Sequence, residues 1–221
     1  MCIRDRIIPS EGADAPVLRR EPDYSTLFTT ALLSVAIAKG NRIKLAIHGD
    51  DGDAVAREIA NQSITLIKNS NHLIPIDQRF SIPIIWPKEY EKSLQLLLKN
   101  CSNLKPFLLS IEPSDEERNA LQEKIQDNDI KIIASYDLHR NAGWKELVNA
   151  ISNQKTIIIA LRSPYDFLKV TDYGAAVATY GDRPVSIEAL GKILKGEIQP
   201  NGQLPVELPG RYQLGWGLKE F

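Results

Sequence analysis

The sequence has few of the residues that carry metal or redox chemistry. Its two cysteines are Cys2 and Cys101, and its three histidines, His48, His72 and His139, lie far apart along the chain. Two cysteines are too few for a disulfide framework, and no Cys-x-x-Cys or Cys/His pair has the spacing of a metal site. We therefore expect no bound metal, and we interpret Cys101 as a buried thiol.

The sequence also lacks an excess of charge and a long apolar run. Its 27 basic and 28 acidic residues give a formal net charge of -1. This balance provides no electrostatic reason for binding nucleic acid or an anionic membrane. The apolar stretch from Leu27 to Ala38 is interrupted by threonines and a serine, and falls short of the roughly 18 residues that span a bilayer. We expect neither nucleic acid nor membrane as a partner.

The common ligand-binding and nucleophile motifs are absent as well. No strand-like segment is followed by G-x-G-x-x-G, and neither G-x-x-x-x-G-K-[ST] nor G-x-S-x-G occurs. Nucleotide binding therefore has no support in the sequence.

Short apolar segments alternate with amphipathic segments from Asp53 onward. This alternation predicts an α/β fold: a single doubly wound, mostly parallel sheet of about six strands with helices on both faces. The segments interpreted as strands are Ser63–Lys68, Ile82–Trp86, Phe107–Ile111, Ile130–Ser135, Thr156–Leu161, Gly174–Thr179 and, as a last short strand, Leu204–Leu208.

The helices are predicted from capping residues and apolar spacing. Asp53 and Ser186 stand at cap positions, Pro87 fits the first position of a helix, and Ser114 with Glu117 forms a capping box for a helix to about Asp127. Trp144, Leu147, Val148 and Ile151 mark a further helix.

The chain is predicted to divide near residue 53. Residues 1–52 form an irregular N-terminal segment, in which Met1–Arg6 looks like a translated adapter artefact and Ser25–Lys39 could form a helix. Residues 53–221 form the α/β domain. The first residues resemble neither a signal peptide nor a transit peptide, so the cellular compartment is unknown.

Three polar loops follow consecutive strands of the predicted sheet, where ligands approach open α/β sheets. They are Tyr136–Asn141, Arg162–Asp166 and Tyr180–Arg183, and we expect them to converge on one edge. Such loops either dock a partner or rim a substrate pocket, or they are simply polar turns. The candidate residues are Asp137, His139, Arg140, Arg162, Tyr165, Asp182 and Arg183.

Several segments, in order, resemble the second domain of family 3 glycoside hydrolases. Ala54–Asn69 (AVAREIANQSITLIKN) and Leu73–Ile76 (LIPI) are similar to the entry of that domain. Ile159–Asp166 (IALRSPYD) is similar to the A-L-R-[NS]-P-Y-D segment of the two-domain β-N-acetylhexosaminidases. Ala178–Gly181 (ATYG) and Gly202–Val206 (GQLPV) match the end of the domain. The resemblance covers about Ala54 to Gly217.

The resemblance implies a retaining two-domain enzyme that hydrolyses terminal β-linked N-acetylglucosamine. In such enzymes a (β/α)8 barrel supplies an Asp nucleophile and a His–Asp acid/base pair, in keeping with the two groups that flank the bond in glycosidases. A barrel needs about 250 residues, so it cannot fit before residue 53. No catalytic residue is therefore assigned here. The implied partners are the barrel of the same protein and a carbohydrate, and no cofactor is needed.

Two alternatives remain open at this point. In the β-glucosidase branch of the family, this domain supplies an acid/base Glu from the loop after a middle strand. The loop Tyr136–Ala142 contains no Glu, which favours the hexosaminidase branch. The other alternative is a stand-alone flavodoxin-like binding module. It would need a phosphate-binding loop or an acidic pocket, whereas the first strand is followed by Asn69–His72.

Overall fold

The computed structural model describes residues 52–125 and 130–221. The predicted helix Ser25–Lys39 and the segment Met1–Arg6, predicted to be a translated adapter, lie outside these residues. The described part contains six strands and five α-helices, and three short 3₁₀ segments, Ser70–His72, Lys88–Tyr90 and Pro164–Leu168, connect them. The strands are β1 (Thr65–Asn69), β2 (Ile82–Pro87), β3 (Leu104–Leu109), β4 (Lys131–Ser135), β5 (Thr156–Ala160) and β6 (Ala175–Ala178). The helices are α1 (Gly52–Ser63), α2 (Glu91–Asn100), α3 (Asp115–Gln122), α4 (Ala142–Ile151) and α5 (Pro184–Lys195).

The six strands form one sheet in the order β1-β6-β5-β4-β2-β3. The neighbours from β6 to β3 run parallel, and β1 pairs antiparallel with β6 at the edge. The predicted fold class is confirmed: a mostly parallel six-stranded sheet with packed helices.

Two apolar cores cover the two faces of the sheet. Consecutive residues of a strand point to opposite faces, so Ile132 and Ile157 belong to one core and Ile133 and Ile158 to the other. Helices α2 and α5 pack on the first core, and α3 and α4 contribute Leu121 and Leu147 to the second. Since both faces are buried, the strands are almost wholly apolar.

The helix that follows β3 starts as predicted and ends earlier. The Ser114 hydroxyl accepts from the Glu117 N–H at 3.3 Å, and Glu117 accepts from the Ser114 N–H at 2.9 Å, which confirms the capping box. Leu121 and Ile125 are buried as expected, but the helix ends at Gln122 rather than near Asp127. Residues 126–129 lie outside the described part.

Three other predicted helix starts were wrong. Asp53 lies inside the first turn of α1, which begins at Gly52. Pro87 ends β2, and α2 begins only at Glu91, after the 3₁₀ turn Lys88–Tyr90. Ser186 is buried within α5, whose cap is Arg183. Pro184 follows this cap because proline has a helical φ and needs no partner for its missing N–H.

The predicted last strand, Leu204–Leu208, was also wrong. This segment is irregular and forms only an isolated bridge between Leu208 and Tyr212. Pro205 has no N–H for a strand ladder. The Leu204 N–H donates instead to the Trp216 carbonyl at 2.7 Å, so the segment folds against the C-terminal residues.

The side-chain amide of Asn69 binds both backbone polar groups of Ile74 and so closes the loop after β1. The Asn69 Nδ2 donates to the Ile74 carbonyl at 2.7 Å, and its Oδ1 accepts from the Ile74 N–H at 3.1 Å. Ile74 is fully buried, so water cannot replace this amide. We expect Asn69→Ala to lower the free energy of unfolding by about 2 kcal/mol, because two buried polar groups lose their partners.

Urea unfolding of the two variants Asn69→Ala and Asn119→Ala measures this effect. Asn119 is exposed on α3, so its replacement is the matched control and is expected to change stability by less than about 0.5 kcal/mol. Equal midpoints for the two variants would show that the Asn69 amide contributes nothing.

Candidate functional site

The three polar loops lie at one edge of the sheet. Because β4, β5 and β6 are parallel neighbours, the loops that follow them leave from the same side. The Arg162 Nη1 lies 2.9 Å from the Asp137 Oδ2, which joins the first two loops. The Thr179 hydroxyl donates to the Leu161 carbonyl at 3.0 Å, which joins the second loop to the third. We call this set of loops the carboxyl edge.

Asp137 and Arg162 form the central ion pair of the carboxyl edge. The Asp137 side chain is 9% exposed and that of Arg162 is 57% exposed, so the carboxylate is largely covered while the guanidinium faces outward. Asp137 has a left-handed φ of 46°, and its carbonyl accepts from the Arg140 N–H at 2.8 Å. The nearby Asp137 charge is the main cause that raises the pKa of Arg162.

Two tyrosines stack where the strand order of the sheet reverses, between the carboxyl ends of β2 and β4. The rings of Tyr90 and Tyr136 are 3.9 Å apart between centroids, with an angle of 20° between their planes. The Arg162 guanidinium lies 5.8 Å from the Tyr136 centroid. Burial raises the pKa of Tyr90, and Tyr136, Asp182 and Asp137 add to the rise. The ring pair fills the position where open α/β sheets bind ligands.

The other five candidate residues lie on the same three loops but make no ion pair with Asp137 or Arg162. His139, Arg140 and Arg183 are exposed, and Arg183 also caps α5. Tyr165 is 45% exposed. Asp182 is half-buried and lies close enough to Tyr90 to affect its pKa. The structure therefore gathers the predicted residues at one edge, while their role in docking or substrate binding stays a prediction.

Sequence reasoning missed a buried carboxyl group beneath this edge. Asp166 is 1% exposed, and its Oδ1 accepts from the Leu138 N–H at 2.9 Å. Burial is the main cause that raises its pKa to about 6, and the hydrogen bond from Leu138 opposes the rise. Asp166 ends the R-S-P-Y-D run, but periodicity could not show whether its side chain points inward.

A cavity of about 400 Å³ lies at the opposite edge of the sheet, near the starts of β2 and β4. It is lined mainly by apolar side chains, among them Leu73, Pro75, Ile76, Phe80, Ile82 and Ile130.

In residues 52–125 and 130–221, no group of three or more His, Cys, Asp or Glu side chains could hold a metal ion. Across the same residues, no helix combines the length and apolarity needed to cross a bilayer.

Comparison with known proteins connects the fold to sugar-cleaving enzymes. No protein-family model matches the sequence. A β-xylosidase of Formosa agariphila is 26% identical over 149 residues, covering 65% of this chain and 20% of the relative.

Solved structures with a similar fold include family 3 glycoside hydrolases. A β-N-acetylglucosaminidase of that family from Paenibacillus sp. str. FPU-7 matches 80% of this chain and 38% of its own, with a TM-score of 0.63 and 19% identity. A fungal multi-domain β-N-acetylglucosaminidase matches 73% of this chain and 20% of its own, with a TM-score of 0.61 and 23% identity. A β-glucosidase from Listeria innocua matches with a TM-score of 0.51 and 15% identity.

The chain thus spans between 20% and 38% of the length of these enzymes. The likeness of the solved structures shows a shared fold.

Proposed function

We propose that this chain is the C-terminal α/β domain of a family 3 glycoside hydrolase of the β-N-acetylhexosaminidase type. In this proposal the domain braces the catalytic barrel and rims its substrate pocket with the carboxyl edge. The whole enzyme would hydrolyse terminal β-linked N-acetylglucosamine. The observation that carries the proposal is the carboxyl edge itself, which presents polar side chains but offers no pair of groups for glycoside cleavage.

Cleavage of a glycosidic bond requires a proton donor and a nucleophile or base on opposite sides of the bond. Asp137 is held by Arg162 and largely covered. Asp166 has a raised pKa, as a proton donor would, but it is 1% exposed and cannot reach a glycosidic oxygen. We therefore infer that the reacting groups belong to another part of the enzyme, the barrel.

The Ile159–Asp166 segment and the loop after β4 support the hexosaminidase branch. The loop after β4 contains no Glu, whereas the β-glucosidase branch uses a Glu from this domain as acid/base. Two structures that match with TM-scores of 0.63 and 0.61 are β-N-acetylglucosaminidases. The β-glucosidase alternative is kept because the Listeria innocua structure shares the fold. The stand-alone binding module is disfavoured, since Asn69–His72 follows the first strand in place of a phosphate-binding loop.

Hydrolysis assays test this proposal. We expect the 221-residue chain to show no turnover of nitrophenyl β-N-acetylglucosaminide, since residues 52–125 and 130–221 hold no accessible catalytic pair. The product of a longer reading frame that adds a barrel is expected to cleave this substrate and to prefer it over the matching β-glucoside and β-xyloside.

Two outcomes would contradict the proposal. Turnover by the purified 221-residue chain would show that the reacting groups lie within it. A preference of the longer protein for the β-glucoside or β-xyloside would move it to another branch of the family.

A further inference from the structure

A buried acid, Asp166, binds the first of the three loops of the carboxyl edge. We call residues 136–141 the rim loop. Asp166 stands in the 3₁₀ segment Pro164–Leu168, and its Oδ1 accepts from the Leu138 N–H at 2.9 Å. Leu138 directly follows Asp137, whose carboxylate pairs with Arg162. A single hydrogen bond therefore connects the buried acid to the residue next to the Asp137–Arg162 ion pair.

The second oxygen of this acid is buried without a hydrogen bond in the described residues. The Ser135 hydroxyl lies near enough to lower the pKa of Asp166, but it donates to the Ile159 carbonyl at 3.5 Å. The charged groups that act on Asp166 are Asp137, which raises its pKa, and His139, which lowers it. A buried carboxylate with one unsatisfied oxygen is costly, whereas the neutral acid is much less so.

We propose that Asp166 is a positioning residue that holds the rim loop through the Leu138 N–H and shifts the loop, with its Asp137–Arg162 ion pair, when it ionises. The name of the loop rests on the proposed function, but its conformation does not.

Two effects follow when Asp166 loses its proton. The new charge strengthens the hydrogen bond from the Leu138 N–H, because a charged acceptor binds an N–H more tightly. The same charge repels the Asp137 carboxylate, which the structure already places near it. Ionisation should therefore draw Leu138 towards Asp166 and move Asp137 away from it. The surroundings of both residues should change as Asp166 titrates.

The sign of the stability change follows from the two pKa values of Asp166. The pKa is about 6 in the folded chain and 3.8 in the ordinary, unfolded reference. The folded state therefore binds more protons than the unfolded state between these values. Protonated Asp166 therefore contributes to the free energy of unfolding. This contribution is complete below pH 3.8 and is lost as the pH rises through about 6. A shift of two units corresponds to roughly a 100-fold change in the unfolding equilibrium constant.

Nuclear magnetic resonance of the 221-residue chain from pH 4 to 8 tests the proposal. The Leu138 amide and the Arg162 Nε–H are expected to titrate with one common midpoint near pH 6. In Asp166→Asn, which keeps an oxygen acceptor for Leu138, both signals should stay near their native positions and become flat across this range. In Asp166→Ala, we expect hydrogen exchange of the Leu138 amide to accelerate by about tenfold or more as its acceptor is removed.

Two further variants control the interpretation. His139 is exposed, and an ordinary histidine titrates near pH 6.5, so the titration is repeated in His139→Gln, where the Leu138 midpoint is expected to persist. Asp182→Asn is the matched change of another carboxyl group at the same edge, and it should leave that midpoint in place.

The proposal is overturned if the Leu138 amide titrates near pH 4, if its midpoint disappears with His139, or if Asp166→Ala leaves the loop signals unchanged. If neither Asp166 variant folds, the midpoint of the Leu138 amide in the His139→Gln chain still tests the proposal. None of these measurements depends on glycoside hydrolysis, so a failure of the proposed function would leave them interpretable.

Discussion

Replacement of Trp144 by alanine is expected to lower the free energy of unfolding by about 3 to 5 kcal/mol. The side chain is fully buried in α4 and packs in the core on one face of the sheet. Its Nε1–H donates to the Ala134 carbonyl at 2.8 Å, which ties α4 to β4. Alanine would leave a large cavity and an unpaired carbonyl in the same place, so both costs act together.

Urea unfolding with a comparison of three variants measures the two costs. Trp144→Phe restores much of the buried ring without the N–H, and should recover more than half of the loss. Tyr165→Ala removes an aromatic ring that is 45% exposed, and should cost less than about 1 kcal/mol. If Trp144→Ala were no more destabilising than Tyr165→Ala, the core around α4 would have to be far looser than the structure shows.

The parts of the fold that follow from local rules could be predicted from the sequence. Both faces of the sheet are buried, so its strands stand out as short apolar runs, and Thr156–Ala160 was found almost to the residue. The capping box at Ser114 depends only on two side chains and two neighbouring N–H groups. Neither feature requires knowledge of distant segments.

The errors occurred where a distant segment or a neighbouring proline decides the local structure. Leu204–Leu208 is apolar enough for a strand, but the Leu204 N–H pairs with Trp216 and Pro205 cannot join a ladder. Ser186 is a good capping residue in isolation, yet Pro184 sets the start of α5 two residues earlier.

In the candidate site too, features set by the strand topology could be predicted, whereas contacts between distant residues could not. The topology placed the polar loops at one edge, since parallel strands end on the same side. The stacking of Tyr90 on Tyr136 could not be predicted, because 46 positions separate the two residues in the sequence. The inward position of Asp166 depends on a contact with Leu138 across two loops. Such contacts join chain segments that no periodic pattern relates.

Gly202 is expected to tolerate no side chain. It begins the C-terminal segment, residues 202–218, which passes directly against β1 and the residues before it. The Gly202 N–H donates to the Ile64 carbonyl at 3.1 Å. Nearby, the Leu218 N–H donates to the Leu66 carbonyl at 2.8 Å, so the segment covers the free edge of β1. This contact gives a physical reason for a glycine before the Q-L-P-V run.

Gly202→Ala should therefore lower the free energy of unfolding by about 3 kcal/mol, at the upper end of the cost of overpacking. A Cβ atom at Gly202 would lie 2.3 Å from the carbonyl oxygens of both Ser63 and Ile64. These are backbone atoms next to a buried strand and cannot turn aside as a flexible side chain would. Relief requires the segment to move away from β1, and its hydrogen bonds would break.

Gly210→Ala is the matched control in the same segment. Its Cβ would meet nothing within 4 Å, although its φ of +74° is left-handed. Only backbone strain opposes Gly210→Ala, so this change should lower the free energy of unfolding by about 1 kcal/mol. Thermal and urea unfolding of both variants distinguish a clash from strain. Equal losses would mean that the C-terminal segment is not held against β1, whereas a loss about three times larger at Gly202 would establish that contact as part of the folded core.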